Sequence, residues 1–500
     1  MANTLIKNLR RHRWEITAVL VLLAIAAFLR LYKIGDYMTF LGDEGRDMLV
    51  VKRMIVDHKF TLLGPTASVG GFFLGPIYYY FMAPFLWLFN FDPAGPAVMV
   101  ALFGTATVLL VYFVGKSFFN IRVGFLSASL YAVSPLIINY SRASWNPNLV
   151  PFFSLVVIYS LWRAVSGKPI WLFPAGMSFG VLFQLHYITA FLLPVALFFL
   201  LIFGRRKSYL RYYFFAVIGF LITFSPFLLF EIRHGFPNSR SMYQFIFFGQ
   251  ETGFAGQNFY SIITDVVFRL FNRLVTLNVD RLASILIALS LPLFFWRWYR
   301  TRNTVFTLLG LWLTFGVFLF GFYQKGIYDY YFGFMYPLPF ILTASSLDWF
   351  VCRAKLFWVP VTLLVLTLFY VNLKGAPIRF PPNRQMAQAR SIAEFILEKA
   401  QGQPFNFALI TGNNSDHAYR YFFEIGGNTP ITIENTSNDP SRVTVTGQLF
   451  VVCESLPCSP EGHPLWEIAG FGRSKIENQW PVSVVRVFKL LHYEEKSPQN

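Results

Sequence analysis

The amino-acid sequence predicts a polytopic α-helical membrane protein that ends in a small soluble α/β domain. Of its 500 residues, 55% are hydrophobic and 13% are charged, and the mean hydropathy is +0.50. So few charges cannot cover the surface of a water-soluble protein of this size. Apolar stretches of about 17–22 residues, long enough to cross a bilayer, recur as far as residue 373, and the composition beyond them is that of a soluble domain.

The apolar stretches predict eleven membrane spans. The first runs from Trp14 to about Tyr32 and follows a basic N-terminal segment, so it enters from the cytoplasm as an uncleaved span. The other ten lie near residues 96–115, 123–140, 148–165, 169–187, 188–204, 209–230, 282–298, 304–323, 330–349 and 355–373.

Segment Phe72–Phe89 decides the topology, because it is apolar but contains Gly75-Pro76 and Pro84. If it spanned the membrane, the basic clusters of all later loops, such as Lys116 with Arg122, would lie on the outer side. If it is re-entrant or lies along the outer surface, those clusters are cytoplasmic, in agreement with the positive-inside rule. Broken backbone at membrane depth is tolerated where it lines a protein cavity. The sequence therefore predicts a cytoplasmic N-terminus and an outer C-terminus.

This topology divides the chain into two domains. Residues 1–375 form a transmembrane domain with large outer loops at 33–95 and 231–281, and residues 376–500 form an extracytoplasmic α/β domain. Most of the net charge of +17 then anchors cytoplasmic loops. The basic excess therefore predicts a bilayer protein and no nucleic-acid partner.

Periodic patterns predict secondary structure outside the spans. In the second outer loop, Ser261, Asp265, Arg269 and Arg273 recur every fourth residue among apolar neighbours, which predicts an amphipathic helix in the headgroup layer. In the C-terminal domain, one apolar face predicts a helix and four runs predict strands. The helical face consists of Met386, Ala389, Ala393, Ile396 and Ala400, and the strand runs are FNFALITG, PITIE, QLFVVCES and SVVRVFKLL.

Sequence motifs for nucleotide binding and for common hydrolytic chemistry are absent. The chain contains no Walker loop, no Gly-rich dinucleotide turn, no HExxH pattern and no GxSxG elbow. Its cytoplasmic loops are too short to bind a nucleotide-activated donor, so we expect chemistry on the outer face with a substrate delivered in the membrane. Three cysteines exclude a disulfide scaffold, although a local disulfide between Cys453 and Cys458 is left open.

Two adjacent carboxylates, Asp43 and Glu44, stand in the first outer loop within the sequence GDEGRD. One interpretation is structural: Asp43 caps a surface helix that continues through Met48 to Ile55. The other is functional, because an extracytoplasmic enzyme needs a carboxylate base or a metal ligand beside the membrane.

Polar residues at the outer ends of the spans also have both a functional and a structural interpretation. Arg142, Trp145 and Asn146 lie in SRASWNPN, where a stacking face and an amide are suited to binding sugars. An interfacial Trp with a snorkelling Arg is, however, the ordinary membrane-boundary pattern. His186 and Tyr187 end another span, and they fit either a ligand contact or a structural hydrogen bond.

Two outer cations, Arg233 and Lys325, lie on the side that the positive-inside rule disfavours. A lipid-linked phosphate at the outer leaflet would give them a partner. General attraction to anionic lipid headgroups is the competing interpretation.

Five segments in this order and on this side of the membrane resemble bacterial membrane glycosyltransferases of the GT-C superfamily. The resemblance covers roughly residues 10–375 and is greatest to the protein O-mannosyltransferase and aminoarabinose transferase group. One departure is Leu74-Gly75-Pro76, where the family often has His-Pro-Pro or Lys-Pro-Pro. The five segments are the Asp-Glu pair, LGPIYYY, SRASWNPN, SPFLLFEIRHGFPNSR and KGIYDYYFGFMYPLP.

The resemblance implies a glycosyltransferase of the bacterial cytoplasmic membrane. It would move a sugar from a polyprenyl phosphate, with inversion, to an acceptor hydroxyl of a glycolipid, protein or polymer on the extracytoplasmic face. Asp43 would be the catalytic base, and Glu44 would orient the acceptor or help Asp43 to hold a divalent cation. The residues implied in donor-phosphate binding are Arg142, Arg233 and Lys325, and those implied in sugar or acceptor binding are Tyr78, Trp145, Asn146, His186 and Tyr187.

A transporter and a structural scaffold are the alternative functions for this sequence. A transporter or flippase of lipid-linked saccharides should carry ionisable residues near the bilayer midplane. The predicted spans are almost free of Asp, Glu and Lys, and the polar groups gather at one face, which favours surface chemistry. A scaffold that presents the soluble tail would have no need for an Asp-Glu pair in the first loop.

Overall fold

The computed structural model describes residues 13–67, 69–204, 209–249, 258–412 and 414–493. The chain forms two compact units that interleave along the sequence. The membrane unit comprises Met1–Ile34, His58–Asn90 and Gly95–Pro381. The tail unit comprises Gly35–Asp57, Phe91–Ala94 and Pro382–Asn500, so a piece of the first outer loop packs with the C-terminal residues. The basic residues at 7–11 and 205–207, which bear on the topology, lie outside the described residues.

Helices make up most of the fold, and a four-stranded sheet lies near the C-terminal end. Among the described residues, the first ten helices are α1 (Arg13–Leu31), α2 (Ile34–Tyr37), α3 (Gly42–Val56), α4 (Ile77–Leu88), α5 (Ala94–Phe118), α6 (Ile121–Val133), α7 (Pro135–Tyr140), α8 (Val150–Val165), α9 (Leu172–Leu185) and α10 (Leu192–Phe203). The later helices are α11 (Leu210–His234), α12 (Pro237–Phe248), α13 (Asn258–Asn272), α14 (Asp280–Thr301), α15 (Thr304–Phe318), α16 (Pro337–Arg353), α17 (Trp358–Lys374), α18 (Gln385–Ala400), α19 (His417–Ile425) and α20 (Trp466–Ala469). The strands are β1 (Asn406–Ile410), β2 (Gln448–Cys453), β3 (Ser474–Val482) and β4 (Val485–His492).

Within the described residues, seven helical segments are long and apolar enough to cross a membrane. Each coincides with a stretch that the sequence predicted as a span, and the chain is a multi-pass membrane protein. Four further apolar helices are shorter, with 10–17 residues. The seven long segments are Arg13–Leu31, Ala94–Phe118, Asn146–Val165, Leu210–His234, Asp280–Thr301, Thr304–Phe322 and Lys355–Lys374, and the shorter ones are Ile77–Leu88, Ile121–Val133, Pro169–Leu185 and Tyr187–Phe203.

The count of eleven spans stays a prediction, because breaks interrupt several of the predicted stretches. The stretch 123–140 divides into α6 and α7 at Ser134, whose extended backbone precedes Pro135. A proline lacks the amide hydrogen that a continuing helix needs, and it disfavours helical backbone in the residue before it. At the next break, His186 is extended and separates α9 from a 3₁₀ turn at Tyr187–Phe191.

Helix α4 occupies the segment on which the topology depends. Its 12 residues rise about 18 Å, whereas the hydrocarbon core of a bilayer is about 30 Å thick. The helix is therefore too short to cross by itself, as a re-entrant or surface segment would be. The sidedness of the loops stays a prediction.

The sheet of the tail unit has the strand order β1-β2-β4-β3. Strands β1 and β2 are parallel, while β4 is antiparallel to both β2 and β3. Its core is apolar, with Ala408, Val451 and Phe488 among the buried residues. Cys453 at the end of β2 forms a disulfide with Cys458, which answers the question that the sequence left open.

Three of the predicted strands and the predicted helix of the tail are confirmed by β1, β2, β4 and α18. The run PITIE is wrong as a strand: its carbonyl at Ile431 accepts from the side chain of Asn406, which also binds Thr444. The amide of Ile431 does bind the backbone carbonyl of Phe405, but with its carbonyl bound to a side chain no strand ladder extends along the run. Strand β3 was not predicted, because most of its residues are exposed and polar and give no apolar run.

Candidate functional site

Helix α3 presents Asp43 and Glu44 in its first turn. The helix forms as the sequence predicted, but its N-cap is Leu41 and not Asp43. A leucine side chain cannot accept a hydrogen bond from the free amide groups of a helix start. Two other side chains do so: Glu44 Oε2 accepts from Leu41 N at 2.9 Å, and Asn414 Oδ1 accepts from Gly42 N at 2.9 Å.

Glu44 is a buried acid with like charges beside it. Only 5% of the residue is exposed. Burial, with smaller contributions from the charges of Asp43 and Asp47, raises the pKa of Glu44 to about 7, against hydrogen bonds that lower it. A carboxyl group that exchanges its proton near neutral pH is suited to acid–base work, and it also marks a site where desolvation is strong.

Asp43, next to it, is the accessible carboxylate of the pair. Its side chain is 55% exposed and lies 2.9 Å from Arg46 Nη1. Arg46 also binds Asp47, which is fully buried, at 2.9 Å. The arginine therefore holds the carboxylate of Asp43 from one side and leaves the other side open to an approaching hydroxyl group.

A segment of the tail that the sequence did not indicate lies against the start of α3. A Cβ atom at Gly42 would overlap the side chain of Ser415, and one at Gly45 would overlap the backbone of His417 and Ala418. Partial burial lowers the pKa of His417, and the charges of Arg46 and Asp43 also act on it. Because this segment is about 370 residues away in the chain, no local pattern could have indicated it.

In the membrane unit, three predicted sugar-contact residues belong to one aromatic cluster. The rings of His186 and Tyr187 stack with centroids 4.5 Å apart, and Trp145 lies 4.5 Å from Tyr330. His186 connects the two pairs through Tyr330 at 5.7 Å and Tyr331 at 5.1 Å. Tyr330 and Tyr331, from the DYY sequence, were missed as site residues although they stand in a segment that carries the resemblance.

Two other residues that were predicted to contact the sugar or acceptor are buried and form hydrogen bonds within the protein. Tyr78 is 0% exposed and its hydroxyl lies 2.9 Å from Ser144 Oγ. Asn146 is 5% exposed and donates to the carbonyl of Leu185 at 2.5 Å. In the structure both side chains hold SRASWNPN against neighbouring elements, and a direct sugar contact for either stays a prediction.

The three predicted phosphate-binding cations have different surroundings. Arg142 is 1% exposed and donates to the carbonyl oxygens of Arg30 at 3.2 Å and Tyr32 at 2.7 Å, at the end of α1. A cation is favourable there because the last carbonyls of a helix carry partial negative charge. Arg233, in the last turn of α11, and Lys325, in the loop before Asp329, are exposed.

Arg269 and Arg273 were missed, because their spacing indicated a helix face in the headgroup layer. Helix α13 is present, but these guanidinium groups bind the carboxylate of Asp329 at 2.5 and 2.8 Å. Arg269 also donates to the carbonyl of Ile327 at 2.8 Å. The two arginines thus fix the loop that carries Lys325 and the DYY sequence.

A cavity of about 910 Å³ opens beside α12, within the size range of small-molecule sites. Arg240 and Ser239 supply polar groups to its lining, and Tyr243 and Phe245 supply aromatic rings. Phe245 also packs on Tyr187, with centroids 6.2 Å apart. The cavity therefore adjoins the aromatic cluster.

Metal-binding side chains do not gather at Asp43 and Glu44. In the part of the chain that the structure describes, no three His, Cys, Asp or Glu side chains are grouped so that they could hold a metal ion. Asp43 binds Arg46, and Glu44 faces the backbone of Leu41. These donors do not fit a divalent cation.

The fold is that of the GT-C membrane glycosyltransferases. Residues 74–230 match the family model of the dolichyl-phosphate-mannose-protein mannosyltransferases. Among solved structures, the chain is similar to ArnT from Cupriavidus metallidurans bound to undecaprenyl phosphate, with a TM-score of 0.65 and 13% identity over 96% of this chain and 98% of ArnT. The apo state of ArnT has a TM-score of 0.64 and 14% identity, over the same 96% of this chain and 98% of ArnT.

A more distant likeness extends the comparison to a second type of enzyme. The archaeal oligosaccharyltransferase AglB from Archaeoglobus fulgidus, in complex with an inhibitory peptide and a dolichol-phosphate, has a TM-score of 0.52 and 13% identity. The alignment covers 89% of this chain and 70% of AglB. No curated protein sequence matches the chain at a significant level. The chain therefore resembles ArnT throughout its length, in fold.

Proposed function

We propose that the protein transfers a sugar from a polyprenyl phosphate to an acceptor hydroxyl on the extracytoplasmic face of a bacterial cytoplasmic membrane. The observation that carries the proposal is the likeness over nearly the whole of both chains to ArnT, which was solved with undecaprenyl phosphate bound. A donor that arrives in the membrane also suits a chain whose composition is dominated by apolar helices.

In the proposed reaction, Asp43 is the base. It takes the proton of the acceptor hydroxyl while that oxygen attacks the anomeric carbon, and the bond from this carbon to the phosphate oxygen breaks on the opposite face. This single displacement inverts the anomeric centre. The exposed carboxylate of Asp43, held on one side by Arg46, is suited to the task.

Glu44 has a supporting role in this mechanism. Its carboxylate is buried and binds Leu41 N, so it holds the start of α3 and with it the position of Asp43. A direct hold on the acceptor, which the resemblance implies, would require Glu44 to give up this hydrogen bond. We therefore assign the acceptor's proton to Asp43 alone.

The leaving group is a lipid phosphate, whose charge needs cationic partners. We assign this role to the exposed Arg233 and Lys325, with Arg240 at the large cavity as a further cation. Arg142 is buried and donates to carbonyl oxygens at the end of α1, so we assign it a supporting role. The aromatic cluster of Trp145, His186, Tyr187, Tyr330 and Tyr331 offers ring faces of the kind on which sugars stack.

The test is sugar transfer by the Asp43→Asn variant. The purified chain is supplied with undecaprenyl phosphate carrying mannose or aminoarabinose, with a membrane extract as acceptor source, and release of undecaprenyl phosphate is measured. Loss of a general base is expected to reduce release by about 10²–10⁴-fold, with unchanged thermal unfolding.

Asp57→Asn, at the other end of the same helix, is the matched control and should keep wild-type transfer. Full transfer by Asp43→Asn would remove Asp43 from the mechanism. Release from neither donor by the wild-type chain would count against the proposed sugar transfer.

A further inference from the structure

The start of the candidate catalytic helix is held by a residue of the C-terminal tail. Helix α3 begins after Leu41, which has no side-chain acceptor, so the amide of Gly42 needs a partner from elsewhere. Asn414 supplies it, at 2.9 Å, from 372 residues further along the chain. We propose that Asn414 is a positioning residue for Asp43, the residue that directly follows Gly42.

The side-chain amide of Asn414 is itself fixed in one orientation. Its nitrogen donates to both carboxylate oxygens of Glu454, at 3.1 and 3.3 Å. Glu454 is held in turn by the hydroxyl groups of Thr411 at 2.7 Å and Tyr419 at 2.8 Å. With its nitrogen bound to Glu454, Asn414 must present its oxygen to Gly42, so the acceptor is ready for the helix.

Glycines let α3 come close enough for this hydrogen bond. A side chain at Gly42 or Gly45 would overlap residues 415–418 of the tail. At the far end of the helix, Lys52 binds Glu424 of α19 at 2.9 Å. Helix α3 is thus docked on the tail segment at both ends, and the two glycines that flank Asp43 and Glu44 have a physical reason in the fold.

A small cavity beside Asn414 allows its effect on the position of α3 to be measured apart from its effect on stability. Asn414, Glu454 and Leu41 line a cavity of about 220 Å³, large enough to hold water. In Asn414→Ala, water entering this cavity would satisfy the Gly42 amide but would not fix its position. The expected effect is therefore on geometry, and a displacement of about 1 Å at a reacting group costs about 100-fold in rate.

The positioning role of Asn414 rests on the proposed sugar transfer. One measurement in its test, amide hydrogen exchange, does not depend on sugar transfer. Asn414→Ala is expected to lower kcat at least tenfold while the KM for the accepted undecaprenyl-phosphate sugar stays within twofold. Amide hydrogen exchange in residues 42–46 should become faster, with the exchange of β1 and β2 unchanged. The control, Asn428→Ala, changes a tail asparagine in a turn after α19 and should leave all three quantities as they are.

A reciprocal exchange provides the rescue. Asn414→Asp alone brings two carboxylates together, whereas Asn414→Asp with Glu454→Gln restores an acceptor for Gly42 and an amide donor beside it. The double variant is expected to recover most of the lost kcat and the slow exchange. A normal kcat in Asn414→Ala, or a double variant no better than Asn414→Asp, would overturn the positioning role.

Amide hydrogen exchange distinguishes failure of the positioning role of Asn414 from failure of the proposed sugar transfer. If the wild-type chain releases no undecaprenyl phosphate but Asn414→Ala still loosens residues 42–46, the sugar-transfer proposal fails and the hold of Asn414 on α3 stands. If exchange in these residues does not change, the hold itself is refuted, whatever the activity.

Discussion

Glu44 shows how burial changes the chemistry of a single side chain. Its ordinary pKa of 4.5 is raised to about 7 in the folded protein, first by burial and then by the charges of Asp43 and Asp47. Between these two pH values the unfolded chain has released a proton that the folded protein still binds. Stability therefore falls as pH rises through this window, by about 1.4 kcal/mol per pH unit.

Glu44→Gln is expected to remove this pH dependence. The glutamine keeps an oxygen that can accept from Leu41 N but has no charge to bury. The free energy of unfolding of the variant should equal that of the wild type near pH 4.5. Above pH 7 it should be larger than that of the wild type by roughly 3 kcal/mol. Thermal unfolding in detergent at several pH values measures the difference. Equal stability of the two proteins at pH 8 would show that Glu44 is not desolvated as described.

At the scale of elements, the contact between α3 and the tail depends on two glycines. Gly45→Ala places a methyl group against the backbone of His417 and Ala418, which cannot move aside as a flexible side chain would. We expect a loss of about 1–3 kcal/mol in stability and a loss of sugar transfer. Gly447→Ala, where a Cβ meets no atom within 4 Å, is the matched control. Wild-type unfolding of Gly45→Ala would contradict the close packing.

Elements were predictable where apolar residues follow a long regular pattern. This holds for the seven long membrane helices, for α18 and for the buried strands β1 and β2. Prediction failed where a polar side chain binds a carbonyl that a strand would pair with backbone, as Asn406 binds that of Ile431, and where a strand is mostly exposed, as β3 is. The break between α6 and α7 before Pro135 could have been predicted from the missing amide hydrogen of proline.

The candidate site was predictable only in part, for a similar reason. Asp43 and Glu44 stood out because adjacent carboxylates are rare in this chain near the membrane. Asn414 could not be found, because its contact with Gly42 spans 372 residues and asparagine occurs in many loops. Arg269 and Arg273 gave a helical pattern, but the pattern does not tell whether such a face meets lipid headgroups or a carboxylate such as Asp329.

At the scale of the whole molecule, the arrangement in the membrane follows from the number of crossings. With eleven spans, alkaline phosphatase fused after residue 493 should be active, because it folds outside the reducing cytosol. A fluorescent protein inserted between residues 119 and 120 should fluoresce in the cytoplasm. A cytoplasmic fusion at residue 493 would mean that Phe72–Phe89 crosses the membrane and that the parity is inverted.

The interleaving of the two units sets the order of events during synthesis. Gly42 leaves the ribosome 372 residues before Asn414, and at about 5–20 residues per second this is roughly 20 to 70 seconds. During that interval α3 has none of the tail residues against which it packs in the finished protein. A nascent or truncated chain that lacks Asn414 therefore carries the carboxylates of the candidate site without the residue that holds their helix, and we expect sugar transfer only after that residue has been synthesised and has folded against α3.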